Sequence, residues 1–167
     1  MRGEAGLMAD LAALGIEHKV YEHQAVFTVE ASRAIKTDIP GAHTKNLFLK
    51  DKRGAFWLVT VPGEGPVDLK GLPTAIGCDR VSFGKPEDMV RLIGIEPGSV
   101  TPLAMINAVP GSVTCVIDAE LVEDVLVNVH PLRNTASVGM AGADILNLLE
   151  HWGHVPRVAV IPKKEMQ

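Results

Sequence analysis

Three things are scarce in this sequence: cysteine, long hydrophobic runs and an excess of basic residues. Cys78 and Cys115 lie far apart, in neither a CxxC nor a paired-histidine motif, which disfavours a disulfide scaffold and favours a reduced, cytoplasmic protein. The longest apolar candidate, residues 55–61, is interrupted by Thr60 and falls far short of the roughly 18 residues that a membrane helix needs. The first residues show no signal-peptide pattern, so neither export nor membrane insertion is expected.

The charge balance limits what the surface can bind. Sixteen Lys plus Arg stand against 20 Asp plus Glu, which gives a formal net charge of −4. Such a surface as a whole repels a phosphate backbone, so any contact with nucleic acid must be local. With 167 residues, 47% of them hydrophobic, the chain has the size and composition of one folded domain.

The pattern of apolar residues and turn signals predicts interleaved helices and strands. Helices are predicted over residues 4–14, 28–36, 68–76, 86–93 and 143–151. Strands are predicted over residues 16–21, 45–50, 55–61, 80–83, 113–117, 125–129 and 137–140, the second and third forming a hairpin closed by Gly54. The elements follow no regular βαβ repeat, so we expect an α+β fold, a mixed sheet packed with helices in a single domain spanning residues 1–167.

A lysine stands where a predicted loop meets a strand. Residues 41–46 superficially suggest a phosphate loop, but Thr44 and Asn46 occupy the places where that motif needs a glycine and a Ser or Thr, which rejects an NTPase. Lys45 is then either an ordinary surface lysine or a cation aimed into a cleft from the end of a rigid strand.

Two further segments carry candidate chemistry. Residues 97–102 place a proline on either side of a glycine, giving a stiff loop whose amides could point at a ligand oxygen or could serve only as a connection. His130 follows an apolar strand and precedes Pro131, a position that suits both a proton-transfer group and a hydrogen-bonded structural residue. His151 and His154 lack partners for a zinc set, and no nucleophile motif is present, so we expect neither a metal nor another cofactor.

These segments occur together, in order, in one known family. They read TKNLFLKD at 44–51, GSVTP at 98–102 and NVHPLRN at 128–134, accompanied by VDLK at 67–70 and RVSFG at 80–84. Over roughly residues 5–152 the chain resembles the YbaK and prolyl-tRNA-synthetase editing-domain family, and it is most similar to the freestanding alanyl-tRNA(Pro) deacylases.

The resemblance implies an enzyme that hydrolyses the ester between alanine and the terminal ribose of tRNA(Pro), correcting an error of prolyl-tRNA synthetase. By motif matching, it implies catalytic roles for Lys45, Gly98 and His130. It implies substrate binding by the remaining motif residues, Asn46, Ser99, Val100, Thr101 and Pro102. Its partners would be the acceptor end of tRNA(Pro) and prolyl-tRNA synthetase, with Lys50 and Arg80 as candidate tRNA contacts.

Ester hydrolysis fits these residues chemically, with some roles left open. The amides of the 98–102 loop could stabilise the oxyanion, and Lys45 could hold phosphate or ribose oxygens. Water could be activated by His130 or by the neighbouring hydroxyl of the substrate's own ribose. Selectivity for alanine over proline is expected to be steric, with wall residues sought over 26–35 and beside Leu47.

Two alternatives remain at this stage, and the oligomeric state stays open. One is a deacylase of the same fold acting on cysteinyl-tRNA(Pro) or another small aminoacyl-tRNA, because motifs shared by the whole family do not choose the amino acid. The other is a non-catalytic module that binds aminoacyl-tRNA or a synthetase. The intact Lys45 and 98–102 loop argue against that module.

Overall fold

The computed structural model describes residues 1–25 and 38–164. Its helices are α1 (Glu4–Ala13), α2 (Leu72–Ile76), α3 (Pro86–Ile93), the 3₁₀ helix η1 (Pro102–Asn107), α4 (Ala119–Glu123) and α5 (Gly142–His151). Its strands are β1 (Lys19–Glu22), β2 (Ala42–Asp51), β3 (Phe56–Pro62), β4 (Val81–Phe83), β5 (Val113–Asp118), β6 (Val127–Val129), β7 (Ala136–Met140) and β8 (Arg157–Ala159). The helix predicted over 28–36 lies outside the described residues.

The strands form one mixed sheet, which confirms the predicted α+β class. Their order is β1-β7-β6-β2-β3-β5-β8, and β4 pairs with β2 beside this path. Three neighbouring pairs are parallel, β2 with β6, β3 with β5 and β5 with β8, and the others are antiparallel. The long strand β2 therefore joins the two halves of the sheet, with β6 near its start and β4 near its end.

The two faces of β2 contribute to different parts of the core. Successive side chains of a strand point to opposite faces. Phe48 packs into the larger cluster together with helices α1, α3 and α5, whereas Leu47 and Leu49 pack into a smaller cluster that includes Leu72 and Ile76 of α2. Both faces of this strand are thus apolar in its second half, which fixes its register firmly.

Local turn chemistry produces the elements that the sequence predicts best. The β2–β3 hairpin is confirmed, and Gly54 takes a φ of 88°, which a glycine adopts without a Cβ penalty. Helix α3 begins with Pro86 and ends at Ile93, and Gly94 caps it with a φ of 64°. Both helix signals therefore act as predicted, proline in the first turn and glycine after the last.

Four predicted boundaries are wrong by two residues or more. The strand predicted from residue 45 starts at Ala42, because Ala42 and His43 pair with β6. The first strand starts at Lys19 rather than at residue 16, because the Ile16 amide donates to the Leu11 carbonyl at 3.0 Å and so belongs to the turn that follows α1. The strand predicted from residue 125 starts at Val127, and Val125 is 88% exposed. Helix α2 starts at Leu72 rather than at residue 68, since Pro73 fits only the first turn of a helix.

The structure also contains elements that the sequence pattern does not predict. Thr101 caps the 3₁₀ helix η1 by accepting a hydrogen bond from the Leu103 amide at 3.3 Å. The short helix α4 follows directly on β5, and β8 extends the sheet beyond β5. Within residues 1–25 and 38–164, no helix combines the length and the apolar character needed to cross a membrane.

Candidate functional site

A cleft of about 310 Å³ opens beside the first half of β2. Pairing of β6 with β2 ends at His43, and pairing of β4 with β2 begins at Leu49. Among the described strands, none lies beside β2 between these two points on this edge. The cleft occupies this gap, and its lining residues are Thr44, Lys45, Asn46, Gly63, Gly98, Val100 and His130.

Five of the residues predicted from the sequence therefore line one cleft. They come from three segments that are distant in the chain: Lys45 and Asn46, Gly98 and Val100, and His130. Gly63 was not predicted, because a glycine in the loop after a strand reads as an ordinary turn residue. Its amide donates to the His43 carbonyl at 2.7 Å, which brings this loop against the start of β2.

Lys45 and Asn46 reach the cleft from opposite faces of β2. They pair with Val61 and Thr60 of β3, respectively, in a regular antiparallel register. Lys45 lies on the face of Leu47 and Leu49, and its ammonium donates a hydrogen bond to the Gly65 carbonyl at 2.8 Å. This bond places the positive charge at the mouth of the loop that follows β3.

The Asn46 amide is held from behind by a buried hydroxyl. Thr60 is fully buried, and its hydroxyl donates to Asn46 Oδ1 at 2.6 Å. Because the carbonyl end of this amide is engaged there, its NH₂ end is the one that can donate to a ligand.

The main chain at Asn46 also faces the gap. The Phe48 carbonyl accepts from the Gly84 amide at 2.8 Å on the β4 side of β2. Residues two apart in a strand present their N–H and C=O groups to the same side. Asn46 therefore directs its backbone donor and acceptor toward the cleft, where no described strand pairs with them.

His130 presents a proton acceptor to the cleft. Its Nδ1 lies 2.9 Å from the Ala136 carbonyl, and since a carbonyl can only accept, Nδ1 carries the proton in the neutral ring. Burial lowers the pKa of His130, and the nearby His23 acts in the same direction, while the Ala136 bond opposes them. The lowered pKa favours the neutral ring, in which Nε2 is the nitrogen that can accept a proton.

A second histidine stands behind His130. The rings of His23 and His130 are 6.4 Å apart between centroids. His23 Nε2 lies 3.0 Å from the buried Ser137 hydroxyl, and its Nδ1 lies 2.8 Å from the Gln24 carbonyl. Sequence reasoning did not single out His23, whose hydroxyl partner Ser137 is 114 positions away in the chain.

The loop at residues 98–102 is rigid, but its members have different environments. Gly98 takes a φ of 95°, and the Ser99 amide donates to the Glu96 carbonyl at 3.1 Å. Ser99 is not among the lining residues, and Thr101 and Pro102 are buried where the loop enters η1. The amides of Gly98 and Val100 are therefore the better candidates for contacting a ligand than the Ser99 amide, which is already engaged.

The segment after His130 is fixed by ion pairs to distant parts of the chain. Arg133 donates to Glu4 at 2.9 Å and to Glu22 at 2.6 Å, and it also bonds the Thr135 hydroxyl. The guanidinium lowers the pKa of the Glu22 carboxyl. Within this segment Leu132 has a φ of 70°, the one positive φ of a non-glycine residue in the described chain, so the backbone here is held in a costly conformation.

The two candidate tRNA contacts lie outside the cleft. Lys50 is exposed on β2, five residues beyond Lys45, which corresponds to about 17 Å along the strand. Its ammonium lies 5.4 Å from the centre of the Phe56 ring. Arg80 is exposed immediately before β4, and its carbonyl accepts from the Lys52 amide at 3.0 Å.

Metal ligands and reactive thiols are not assembled in the part of the chain that the structure describes. No group of three or more His, Cys, Asp or Glu side chains could hold a metal ion there. Burial raises the pKa of Cys115 to about 11, and burial is also the main cause that raises the pKa of Cys78. Neither thiol is therefore activated as a nucleophile.

Comparison with known proteins assigns the chain to a family. The model of a family described as "Aminoacyl-tRNA editing domain" matches residues 23–148. A zebrafish (Danio rerio) protein named prolyl-tRNA synthetase associated domain-containing protein 1 is 36% identical, with 87% of this chain and 80% of that protein covered. The prolyl-tRNA editing protein ProX of Acetoanaerobium sticklandii is 30% identical, with 92% and 94% covered.

A solved structure agrees with the fold. It is described as a candidate trans-editing enzyme for prolyl tRNA synthetase and superimposes with a TM-score of 0.72. The alignment covers 98% of this chain and 99% of the other, at 20% sequence identity. At that identity the likeness supports the architecture alone.

Proposed function

Because the chain belongs to the aminoacyl-tRNA editing-domain family, we propose that it is a trans-editing hydrolase that cleaves the ester joining alanine to tRNA(Pro). The observation that carries the proposal is the cleft, which unites Lys45, Asn46, Gly98, Val100 and His130 from three distant segments. The names of the relatives, which mention prolyl-tRNA editing and prolyl-tRNA synthetase, support tRNA(Pro) as the RNA and that synthetase as a protein partner.

Substrate positioning falls to β2 in this proposal. The Lys45 ammonium, located by its bond to Gly65, attracts phosphate or ribose oxygens at the end of the acceptor strand. Asn46 offers its side-chain NH₂ together with the main-chain groups that face the gap. Holding the ester in one orientation by such contacts removes much of the entropic barrier to reaction.

The chemical step needs a base and a site for the developing oxyanion. A water attacks the ester carbonyl and gives its proton to His130 Nε2 or to the neighbouring ribose hydroxyl. The amides of Gly98 and Val100 stabilise the negative charge on the carbonyl oxygen, a contribution worth about 2.7–4 kcal/mol per donor in other enzymes. The C–O bond to the ribose then breaks, and the leaving ribose oxygen takes a proton either from His130 Nε2 or from the neighbouring hydroxyl, which passes on its own proton as it receives the one from water.

Selectivity for alanine rests on exclusion of larger side chains. A methylene in an apolar pocket changes binding by only about 1–3 kcal/mol, so attraction alone would not favour alanine over proline. The wall candidates over 26–35 lie outside the described residues. Leu47 is buried against the smaller core cluster, which lets it support the β2 side of the cleft from behind.

Recognition of the RNA body involves the surface at the far end of β2. Lys50 and Arg80 are exposed there and would contact phosphates of the acceptor stem. A small contact of this kind suits a chain with a net charge of −4. The cytoplasm, where mischarged tRNA is corrected during translation, is the location that this proposal implies.

A deacylation panel tests the proposal directly. Alanine, cysteine, serine and proline are each charged on tRNA(Pro), and their release is followed with and without the protein, with Lys45→Ala as the inactive reference. We expect fast release of alanine and none of proline. Faster release of cysteine would favour the cysteinyl alternative, and no release of any amino acid would favour a non-catalytic binding module.

A further inference from the structure

We propose that the exposed ring of Phe83, flanked by Arg80 and Lys85, is a stacking platform for the single-stranded 3′ end of the RNA substrate. The inference rests on the proposed function, because it concerns how the same substrate reaches the cleft. It assigns a role to an aromatic side chain that the cleft itself does not use.

Exposure of this ring is unusual for this chain. The sequence contains only four Phe, two Trp and one Tyr. Phe83 is 62% exposed, and among the described residues it is the one aromatic side chain left largely open to solvent. An exposed large aromatic side chain is a favoured stacking partner for unpaired bases, because every base offers a π-face.

The position of Phe83 on an edge strand makes its exposure more informative. Strand β4 has three residues and pairs with β2 alone among the described strands. Proteins usually protect such edges with short strands and charged side chains rather than with open aromatic rings. Here the strand is short and cations flank it, yet the ring remains uncovered, which leaves its face accessible to a ligand.

The charges around the ring match a phosphate backbone. Four exposed cations lie on the β2–β3 connection and beside β4, namely Lys52, Arg53, Arg80 and Lys85, whereas Lys50 lies on the opposite face of β2 from Phe83. Asp51 is buried and accepts hydrogen bonds from the Arg53 and Ala55 amides.

The other nearby carboxylates are paired or lie to one side. Asp79 lies 3.5 Å from Arg53, and in the first turn of α3 Asp88 lies 2.8 Å from Arg91, with Glu87 beside it. Because Arg91 offsets Asp88, the four cations stand against the carboxylates of Asp51, Asp79 and Glu87, so this surface carries an excess of one positive charge although the whole chain carries a charge of −4.

The distance between the cleft and the Phe83 ring is short enough for one RNA strand to reach both. Phe83 stands opposite Leu49, three residues beyond Asn46 along β2, which corresponds to about 10 Å. Stacked nucleotides rise about 3.4 Å each, so about three nucleotides cover that span. A 3′ end with its ester in the cleft can therefore lay one of its preceding bases on the Phe83 ring.

An RNA-binding experiment without any ester tests the platform. The probe is an unacylated hairpin with the acceptor stem of tRNA(Pro) and its single-stranded 3′ end, and its Kd is measured by fluorescence anisotropy at one fixed salt concentration. We expect Phe83→Ala and Phe83→Leu to bind at least five-fold more weakly, and Phe83→Trp to bind at least as tightly as the wild type. Val125→Ala, which trims an 88% exposed apolar residue elsewhere, should stay within two-fold.

A second probe tests whether RNA bases stack on the Phe83 ring. Replacing the unpaired nucleotides before the terminal one by abasic units should weaken wild-type binding at least five-fold and leave Phe83→Ala binding unchanged. Wild-type-like binding by both the Ala and Leu variants, or equal sensitivity of wild type and Phe83→Ala to base removal, would overturn the platform. Because the probe carries no ester, absence of deacylation alone would overturn the proposed function and leave this inference standing.

Discussion

The two walls of the cleft are built in different ways. On the strand wall, Lys45 and Asn46 are neighbours in a strand whose ladder to β3 runs without interruption from Thr44 to Lys50. On the loop wall, Gly98, Val100 and His130 depend on turns, a helix cap and the ion pairs of Arg133. The comparison teaches that β-sheet register positions one wall, whereas contacts between distant parts of the chain position the other.

The largest effect is expected on the strand wall. Lys45→Ala should fold normally and lose about 100-fold or more in single-turnover hydrolysis of alanyl-tRNA(Pro), since a misplaced substrate costs about that much. Lys45→Arg should recover little, because a planar guanidinium does not replace a compact ammonium. Lys70→Ala, an exposed lysine outside the cleft, is the control. A near wild-type rate for Lys45→Ala would remove the strand wall from the mechanism.

Gly98→Ala tests whether the loop wall acts through its backbone. At a φ of 95° a side chain is strained, although an added Cβ would lie 3.7 Å from Asn134 and meet no clash. We expect a loss of about 1–2 kcal/mol in stability and a drop in turnover of about ten-fold or more.

Gly111→Ala is the matched control for this strain. Gly111 has a φ of 89° and nothing near its Cβ position, so its variant should lose similar stability and keep its turnover. Melting temperatures and single-turnover rates of both variants distinguish backbone strain alone from a role of the Gly98 backbone in turnover. Equal rates for the two would mean that the 98–102 loop is only a connection.

His130 should show its role in the pH profile. Because burial lowers its pKa, the base form is already present at neutral pH, so the rate should stay level from pH 7 to 8. It should fall only at pH values below the ordinary histidine pKa of about 6.5. His130→Ala should lose about ten-fold, less than the usual range for a lost base, because the ribose hydroxyl can replace it.

The same pKa shift affects stability with a definite sign. The folded state favours the neutral ring of His130, so the contribution of this ring to the free energy of unfolding is complete above the ordinary pKa and is lost as the pH falls through the lowered value.

The control for the rate profile is His151→Ala, at an exposed position, which should keep the acid limb of the wild-type profile. If His130→Ala keeps that limb as well, the group that titrates there is not His130.

The smallest effect tests the long-range support of the loop wall. Arg133→Gln should lower kcat about three- to five-fold with little change in KM, because the ion pairs act on the segment that carries His130 rather than on the substrate. Arg133→Lys should recover part of the rate. Arg91→Gln removes a surface ion pair of 2.8 Å to Asp88 and serves as the control. A rise in KM without a fall in kcat would contradict a positioning role for Arg133.

The strand wall could be predicted from sequence, and the reason is local. The hairpin signal at Gly54 sets the pairing of β2, although Lys45 and Asn46 lie inside this strand, which begins at Ala42, rather than at the predicted junction of a loop and a strand. The 98–102 motif could also be recognised. Its division into cleft residues and buried residues could not, because the burial of Thr101 and Pro102 depends on η1 packing into the core.

Other features could not be predicted from the sequence, because they depend on contacts between residues that are far apart in the chain. Arg133 meets Glu4 and Glu22 across 129 and 111 positions, and no local pattern marks such partners. Strand β8 contains the exposed residue Val158 and lies between Pro156 and Pro162, which reads as a loop. It becomes a strand only because β5 offers it an edge of the sheet.

The parallel pairing of β2 with β6 has a consequence for the order in which the protein forms. Ala42 pairs with Val127 and β1 pairs with β7. The strands around the cleft can therefore pair only after most of the chain has been synthesised. Contacts of such large sequence separation require costly loop closure and form late and slowly in folding. A nascent chain released before residue 140 would retain the β2–β3 hairpin and lack β7, the ion pairs of Arg133 in their final setting, and a completed site.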